Sequence, residues 1–329
     1  APAARADVAI LACVDLPRDD PRSHDLSGLA WDPEARRLYA IPDRAPQLTV
    51  LVPSADLQRY ELAGPIPLAP ALRSPDGERW DGERWDGEAV TRVGDRFVVV
   101  ANETRQRVVS LDRAGGDLQP IALAPLPGVR HNLGLESLTY AASPAGRYLI
   151  AANEQALTGD GPTSTAAHGT VVRIVRHPLD GGADRAVAYL TDRVFVDGPD
   201  ADNGVSELAA LTPSHVLVLE RAFVRGRGNA VRVYAVDLDA ALDVTALADA
   251  RAAAPAAKRL VVDLADLPRA GCATPRQPQR HPALANYEGL ALGPTLPDGR
   301  RVLFLISDDN SRDDQEARVL VLAVPPAAL

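Results

Sequence analysis

Five copies of one hairpin pattern, spread over 329 residues at about 65 residues each, predict an all-β protein built as a β-propeller. Two further observations support that architecture. Apolar runs between the hairpins supply a third and fourth strand per unit. The last unit lacks an outer strand, while the first is preceded by a spare one that can close the ring and remove its open edges. The expectation is one domain over residues 1–329 with five four-stranded blades, or six if segment 222–285 holds a degenerate blade.

The chain opens APAARADV and contains no methionine, which suits a mature, periplasmic or secreted chain whose signal peptide has been removed. The spare strand is Asp7–Leu16. The first hairpin is LSGLAWDPEARRLYAIPDR (26–44), with Gln47–Val52 as its third strand. Next comes DGERWDGERWDGEAV (76–90), a five-residue unit written twice and begun again. Only Glu88, in the last partial copy, leads directly into a strand. Glu78 and Glu83 belong to a rim loop, and Trp80 and Trp85 could line the mouth and stack on a substrate.

The second hairpin is GEAVTRVGDRFVVVANETR (87–105), followed by Val108–Leu111 and Leu118–Ala124. The third, LESLTYAASPAGRYLIAANEQ (135–155), is followed by Thr170–Val175 and Arg185–Thr191. The fourth, SELAALTPSHVLVLER (206–221), precedes Val231–Val236, a helical piece in the Ala-rich stretch 240–256, and Lys258–Leu264. The fifth is YEGLALGPTLPDGRRVLFLISDDN (287–310), with Arg318–Ala323 after it. Runs such as Phe97–Val100 and Val302–Ile306 are apolar throughout, so their strands must be covered on both faces.

Composition narrows the function. Apolar residues make up 46% and charged residues 24%, as in a globular chain. A formal charge of −9 argues against general affinity for nucleic acid phosphates, and no apolar run reaches the length of a membrane span. A monomer acting on a small molecule is the expectation. Cys13 and Cys272 are the only cysteines. One lies on the closing strand and the other in the connection into the last blade, so in an exported protein they would pair.

Superposing the hairpins puts Ser27, Glu88, Glu136, Glu207 and Glu288 at one position, starting the innermost strand. It puts Asp43, Glu103, Glu154, Glu220 and Asp308 at a second, ending its neighbour. The two ends of a hairpin meet, so both sets should crowd one mouth of the channel. Carboxylates so crowded repel one another and are costly to desolvate. A hard cation with oxygen ligands relieves this, and Ca2+ suits a flexible carboxylate site better than magnesium. Arg44, Arg105, Arg221 and Arg312 follow the second position closely, and His24, His131 and His281 precede the first. Calcium with arginines would grip a phosphate ester.

The segments LSGLAWDPEARRLYAIPDR, GLESLTYAASPAGRYLIAANE, NGVSELAAL with VLVLERAF, and NYEGLALGPTLPDGRRVLFLISDDN together resemble the "esterase-like activity of phytase" family of exported bacterial proteins, over roughly residues 24–324. The resemblance implies a propeller with recurrent acids and a phosphoesterase role. More distantly the chain is similar to soluble calcium-activated nucleotidases (apyrases), five-bladed propellers whose central calcium is held by one Ser or Glu per blade. That likeness implies calcium on Ser27, Glu88, Glu136, Glu207 and Glu288, with Asp43 and Arg44 near a phosphate. Ala89 and Pro42 depart from the family pattern. The long acidic signatures of alkaline propeller phytases are absent, as are the RHGxRxP, GxSxG and HExxH motifs.

The leading expectation is a calcium-dependent phosphoesterase, with Asp43 or Glu103 as base and Arg44 and Arg221 holding phosphoryl oxygens. A calcium-dependent lactonase or carboxylesterase needs the same ring. So does a non-enzymatic binding propeller with a structural calcium.

Overall fold

The computed structural model describes residues 8–68, 85–123, 126–269 and 271–329. Its strands form five four-stranded antiparallel sheets arranged as a five-bladed propeller. Strand β1 (Ala9–Asp15) comes first in the chain. Blade 1 is β2 (Leu26–Asp32), β3 (Arg37–Pro42), β4 (Gln47–Pro53) and β5 (Tyr60–Pro67). Blade 2 is β6 (Val90–Val93), β7 (Arg96–Asn102), β8 (Arg107–Leu111) and β9 (Gln119–Ile121). Blade 3 is β10 (Leu135–Ser143), β11 (Gly146–Asn153), β12 (Val171–Pro178) and β13 (Arg185–Leu190). Blade 4 is β14 (Asp202–Ala210), β15 (His215–Val224), β16 (Gly228–Asp237) and β17 (Lys258–Asp263). Blade 5 is β18 (Tyr287–Thr295), β19 (Arg301–Ser307) and β20 (Arg318–Val324), completed by β1.

Ring closure follows the sequence expectation. β1 pairs antiparallel with β20, Cys13 lying opposite Leu320, so the N-terminal strand is the outer strand of the last blade. Cys13 and Cys272 form a disulfide with their Cα atoms 5.0 Å apart. Segment 222–285 adds no sixth blade among the described residues.

The continuous apolar strands are explained by the packing. The hydrophobic core is five clusters, one in each seam between neighbouring blades. Val98 and Val100 face one seam while Phe97 and Val99 face another, so every residue of that run is buried. Trp85 lies in the seam between blades 1 and 2, 5% exposed, with its indole N–H donating to the Pro42 carbonyl at 2.9 Å. It is a core residue and does not line the mouth. Trp80, Glu78 and Glu83 lie outside the described residues.

The Ala-rich stretch 240–256 is not a helix. It contains one 3-10 turn, Ala250–Ala252, capped by Asp249. The rest runs along the outer strand of blade 3, where Val244 N donates to Ala186 O (2.8 Å) and Ala256 N to Ala188 O (2.7 Å). Ala250, Ala253 and Ala256 are buried there. Covering an exposed sheet edge with backbone partners outweighs the alanines' helix propensity.

Candidate active site and metal centre

The innermost strands β2, β6, β10, β14 and β18 contact one another around the axis. Their approach is close. Gly28 N donates to the Glu88 carbonyl at 2.6 Å, and a Cβ on Gly28 would come within 2.5 Å of Ala89 Cα. Gly134 is confined in the same way, since a Cβ there would meet the Glu103 carbonyl oxygen at 2.5 Å.

Three hairpins close at the mouth by a backbone bond from the residue just after the second strand: Asp43 N to Asp25 O, Glu154 N to Gly134 O and Asp308 N to Asn286 O, at 2.8–2.9 Å. The carbonyls of Glu103 and Glu154 then accept from Leu135 N and Val205 N of the next blade. The two acid positions therefore share one end of the channel, and at Glu154 the N–H closes the hairpin while the carbonyl stitches it to its neighbour.

A bulge aims the first position. Glu136 is the extra residue between the paired Leu135 and Ser137, and Glu288 between Tyr287 and Gly289. In blade 1 the shift spans Ser27 and Gly28. Bulged residues are re-aimed relative to the ladder, and Glu88, Glu136 and Glu288 all line the cavity at the mouth. Ser27 Oγ donates to Glu88 Oε2 at 3.1 Å and reaches Glu288 Oε2 at 3.5 Å.

Blade 4 departs from the expected alignment by one residue. Its bulged residue is Ser206, between the paired Val205 and Glu207. The register therefore sets Ser206 at the level of Ser27, Glu136 and Glu288, and Glu207 one residue deeper. Leu29, Val90, Leu138, Leu208 and Leu290 each come two residues later and line the far side of the axis. Glu207 is 1% exposed and does not line the mouth. Its Oε1 accepts from Leu208 N at 2.9 Å and Leu138 N at 3.1 Å, and its buried Oε2 has no partner.

The slip repeats on the partner strand. Glu220 pairs with Val205 as Asn153 pairs with Leu135 and Ser307 with Tyr287. Glu220 accordingly turns into the seam between blades 3 and 4. There it accepts from the Tyr189 hydroxyl (2.5 Å), Lys258 Nζ (2.6 Å) and Asp192 N (2.8 Å). Lys258, the only lysine, also sits 4.2 Å from the Tyr234 ring. Arg221 takes the channel position that Glu154 and Asp308 hold in their blades. A one-residue offset exchanges the two faces of a strand.

The mouth encloses a cavity of about 630 Å3. Its described lining carries ten carboxylates: Asp43, Asp86, Glu88, Glu103, Glu136, Glu154, Asp200, Asp202, Glu288 and Asp308. Against them stand only Arg221 and Arg312. Arg312 is largely exposed and paired with Asp314 at 2.9 Å. The Arg221 side chain is 12% exposed, with Nη2 3.3 Å from Glu288 Oε1 and 3.4 Å from Glu154 Oε1, and Nη1 3.8 Å from Asp202. Carboxylate oxygens of Asp86, Glu88 and Glu103 lie within 4.8 Å of one another, as do those of Asp25, Asp308 and Asp309.

This crowding moves the carboxyls up. Burial raises Glu88, Glu136 and Glu154 well above the usual carboxylate range, and their acidic neighbours add to it. Asp308 is raised in the same way, first by burial and then by Glu288. Asp43 is pushed up to about 7 by burial and then by Asp25, and Glu103 to about 7 by burial, against a Gly134 N–H at 2.8 Å that pulls it down. Asp43 Oδ1 and Asp25 Oδ1 are sealed from solvent without a hydrogen-bond partner.

Arg44 is 56% exposed, 3.6 Å from Asp43 and 3.7 Å from Asp25, at the edge of the cavity. Arg105 is exposed. His24 pairs with Asp309 at 2.5 Å, His131 is exposed, and His281 is buried between Leu267 O and Ala283 N. Asp25, Asp86, Asp202 and Ser206 were not singled out from the sequence. Asp86 and Asp25 each stand two residues ahead of a first-position residue, and Ser206 is the second residue of VSEL, which matches LESL and LSGL on its last leucine.

The phytase-like family described as "Esterase-like activity of phytase" matches residues 22–311. This chain belongs to that family. No curated protein matches it significantly. Among solved structures, this phytase-like chain is similar to a PQQ-bound aldose sugar dehydrogenase from Streptomyces coelicolor (14% identity, TM-score 0.42), covering 97% of this chain and 98% of that one. It is also similar to the calcium-binding protein regucalcin from Agrobacterium tumefaciens (13%, TM-score 0.41), over 96% and 95%. A luciferin-regenerating enzyme matches at 12% identity and TM-score 0.41, over 95% and 97%. At these identities and scores the likenesses say nothing of activity. No helix among the described residues is long and apolar enough to cross a membrane.

Proposed function

We propose that the mouth of the channel is a calcium-dependent hydrolase site acting on a phosphate ester or anhydride, in an exported, monomeric protein that is one propeller domain. The observation that carries this reading is a cavity lined by ten carboxylates around one largely buried guanidinium, Arg221. Such a lining fits a hard cation. The acid donors of the lining are all oxygens, and both cysteines are consumed in a disulfide, which leaves no thiolate for a soft metal. The disulfide likewise favours an oxidising compartment.

Glu88, Glu136 and Glu288 would hold the ion with Ser27, and Ser206, at the same register level, would be the contribution of blade 4. Glu207 would support it from beneath through its free Oε2. Calcium, when bound, would neutralise part of the carboxylate charge and polarise a phosphoryl oxygen. The chain's own groups supply the rest. Asp43, whose carboxyl burial raises to about 7, accepts a proton from the attacking water, with Glu103 as the second acid so poised. Arg221 from below and Arg44 from the rim hold the phosphoryl oxygens by charge-assisted hydrogen bonds.

One observation favours a second reading. The lining carries far more negative than positive charge, so a neutral lactone or carboxyl ester would enter with less repulsion than a phosphate. The experiment is hydrolysis of a panel of phosphate monoesters, diesters, anhydrides and lactones by chelator-stripped and calcium-restored protein. The proposal expects calcium-dependent release of phosphate. Lactone hydrolysis alone would favour the second reading. Calcium binding without any turnover would leave a binding propeller and refute both.

A further inference from the structure

We infer that Arg221 is an anion subsite held shut in part by Glu288, a proposed calcium ligand, so that binding of the cation and of a tetrahedral oxyanion are positively coupled. The inference rests on the proposed ring site. Four of the five blades place an acid at the end of the second strand, and blade 4 places Arg221 there. Its guanidinium shares Nη2 between Glu288 Oε1 (3.3 Å) and Glu154 Oε1 (3.4 Å). Those contacts are long for charge-assisted hydrogen bonds, which run near 2.7–2.9 Å. Its Nε–H is sealed from solvent and has no partner at all. A guanidinium that lines a cavity and meets its carboxylates only at 3.3–3.8 Å is an incomplete anion site.

Glu288 links this arginine to the ring. Its Oε1 takes Arg221 and Asn286 Nδ2 (2.9 Å), while its Oε2 faces Ser27 Oγ. The same carboxylate therefore serves as counter-ion to Arg221 and as proposed cation ligand. Glu288 cannot give full charge to both. When it turns to a divalent ion, Arg221 loses its nearest partner and its donors become available to a phosphoryl group. Coupling of this kind is reciprocal, so the oxyanion must tighten the cation by the same factor.

Calcium titration by calorimetry, with and without inorganic phosphate, tests this on stripped wild-type protein and on Arg221→Met. In the wild type, saturating phosphate should tighten calcium about tenfold, within the usual 5–150-fold range of coupling. Arg221→Met should bind calcium about tenfold tighter than wild type without phosphate, because a competing cation is gone, and phosphate should then have no effect. A phosphate effect that survives in the variant, or calcium binding unchanged or weakened by it, overturns the inference. If Arg221→Met does not fold, Arg221→Lys provides the reading: near-wild-type calcium affinity with a reduced phosphate effect, and an undiminished effect refutes. Failure of wild-type protein to bind calcium would instead sink the ring site itself.

Discussion

Protein stripped of divalent ions should lose stability as pH rises from 5 to 8. Asp43 and Glu103 are both pushed up to about 7 in the folded chain, from 3.8 and 4.5, with burial the first cause in each. The folded state thus keeps two protons that the unfolded chain has already released. Stability from this source is full below about pH 4 and is lost as pH rises through about 7. Each tenfold change in proton affinity corresponds to about 1.4 kcal/mol. Ionising Asp43 in place then costs on the order of 4 kcal/mol and Glu103 on the order of 3 kcal/mol, and both are mostly buried. The two share neighbours, so the combined loss is about 4–6 kcal/mol rather than the full sum. With an unfolding entropy of about 2.1 cal/mol/K per residue, that lowers Tm by roughly 6–9 °C. His24, raised overall because Asp309 outweighs its burial, adds in the same direction, while buried His281 is lowered and opposes it. Differential scanning calorimetry in metal-free buffers at pH 5 and 8, repeated with calcium, measures the effect. A Tm that is flat or rises between pH 5 and 8 without metal would refute the reasoning, as would failure of calcium to restore stability at pH 8.

Three further outcomes are expected. Glu136→Gln removes one buried charge, so metal-free protein at pH 8 should melt several degrees higher while the calcium-induced rise disappears; a preserved calcium response would count against Glu136 as a ligand. Reducing or replacing the Cys13–Cys272 bond, which spans 259 residues, should cost about 2–4 kcal/mol in denaturant titrations, with exchange protection lost first along β1. Asp43→Asn should leave Tm unchanged or higher but cut turnover by roughly 10²-fold and flatten the rise of rate with pH; full activity on a substrate of the wild type would move the base elsewhere.

Much of this protein was legible in the order of its residues. Fully apolar runs bounded by Gly, Pro and Asp mark strands covered on both faces, and the five seams supply those covers. The missing outer strand at the C-terminus and the spare one at the N-terminus anticipated the β1–β20 closure and the disulfide beside it. These features are local or depend on counting strands, and period-2 patterning carries them.

What tertiary structure alone decided is which of two adjacent polar residues faces the axis. In VSEL both Ser206 and Glu207 are polar, and only the bulge against Glu220 and Leu219 sets the serine at the level of Ser27, its hydroxyl donating to the Tyr287 carbonyl, and the acid one residue deeper. The same offset carries Glu220 into a cage of Tyr189, Asn203 and Lys258 and brings Arg221 among the acids. Trp85 looked like a stacking platform in its repeat and is a core residue, because the seam between blades 1 and 2 offers apolar cover and the Pro42 carbonyl. Asp25 and Asp86 gained meaning only when ring closure and hairpin stitching brought them beside Asp308 and Glu103. Strand character is set by neighbours in sequence. The direction of a side chain at a bulge is set by hydrogen bonds to residues far away in the chain, and the charge of the mouth is the sum of five such choices.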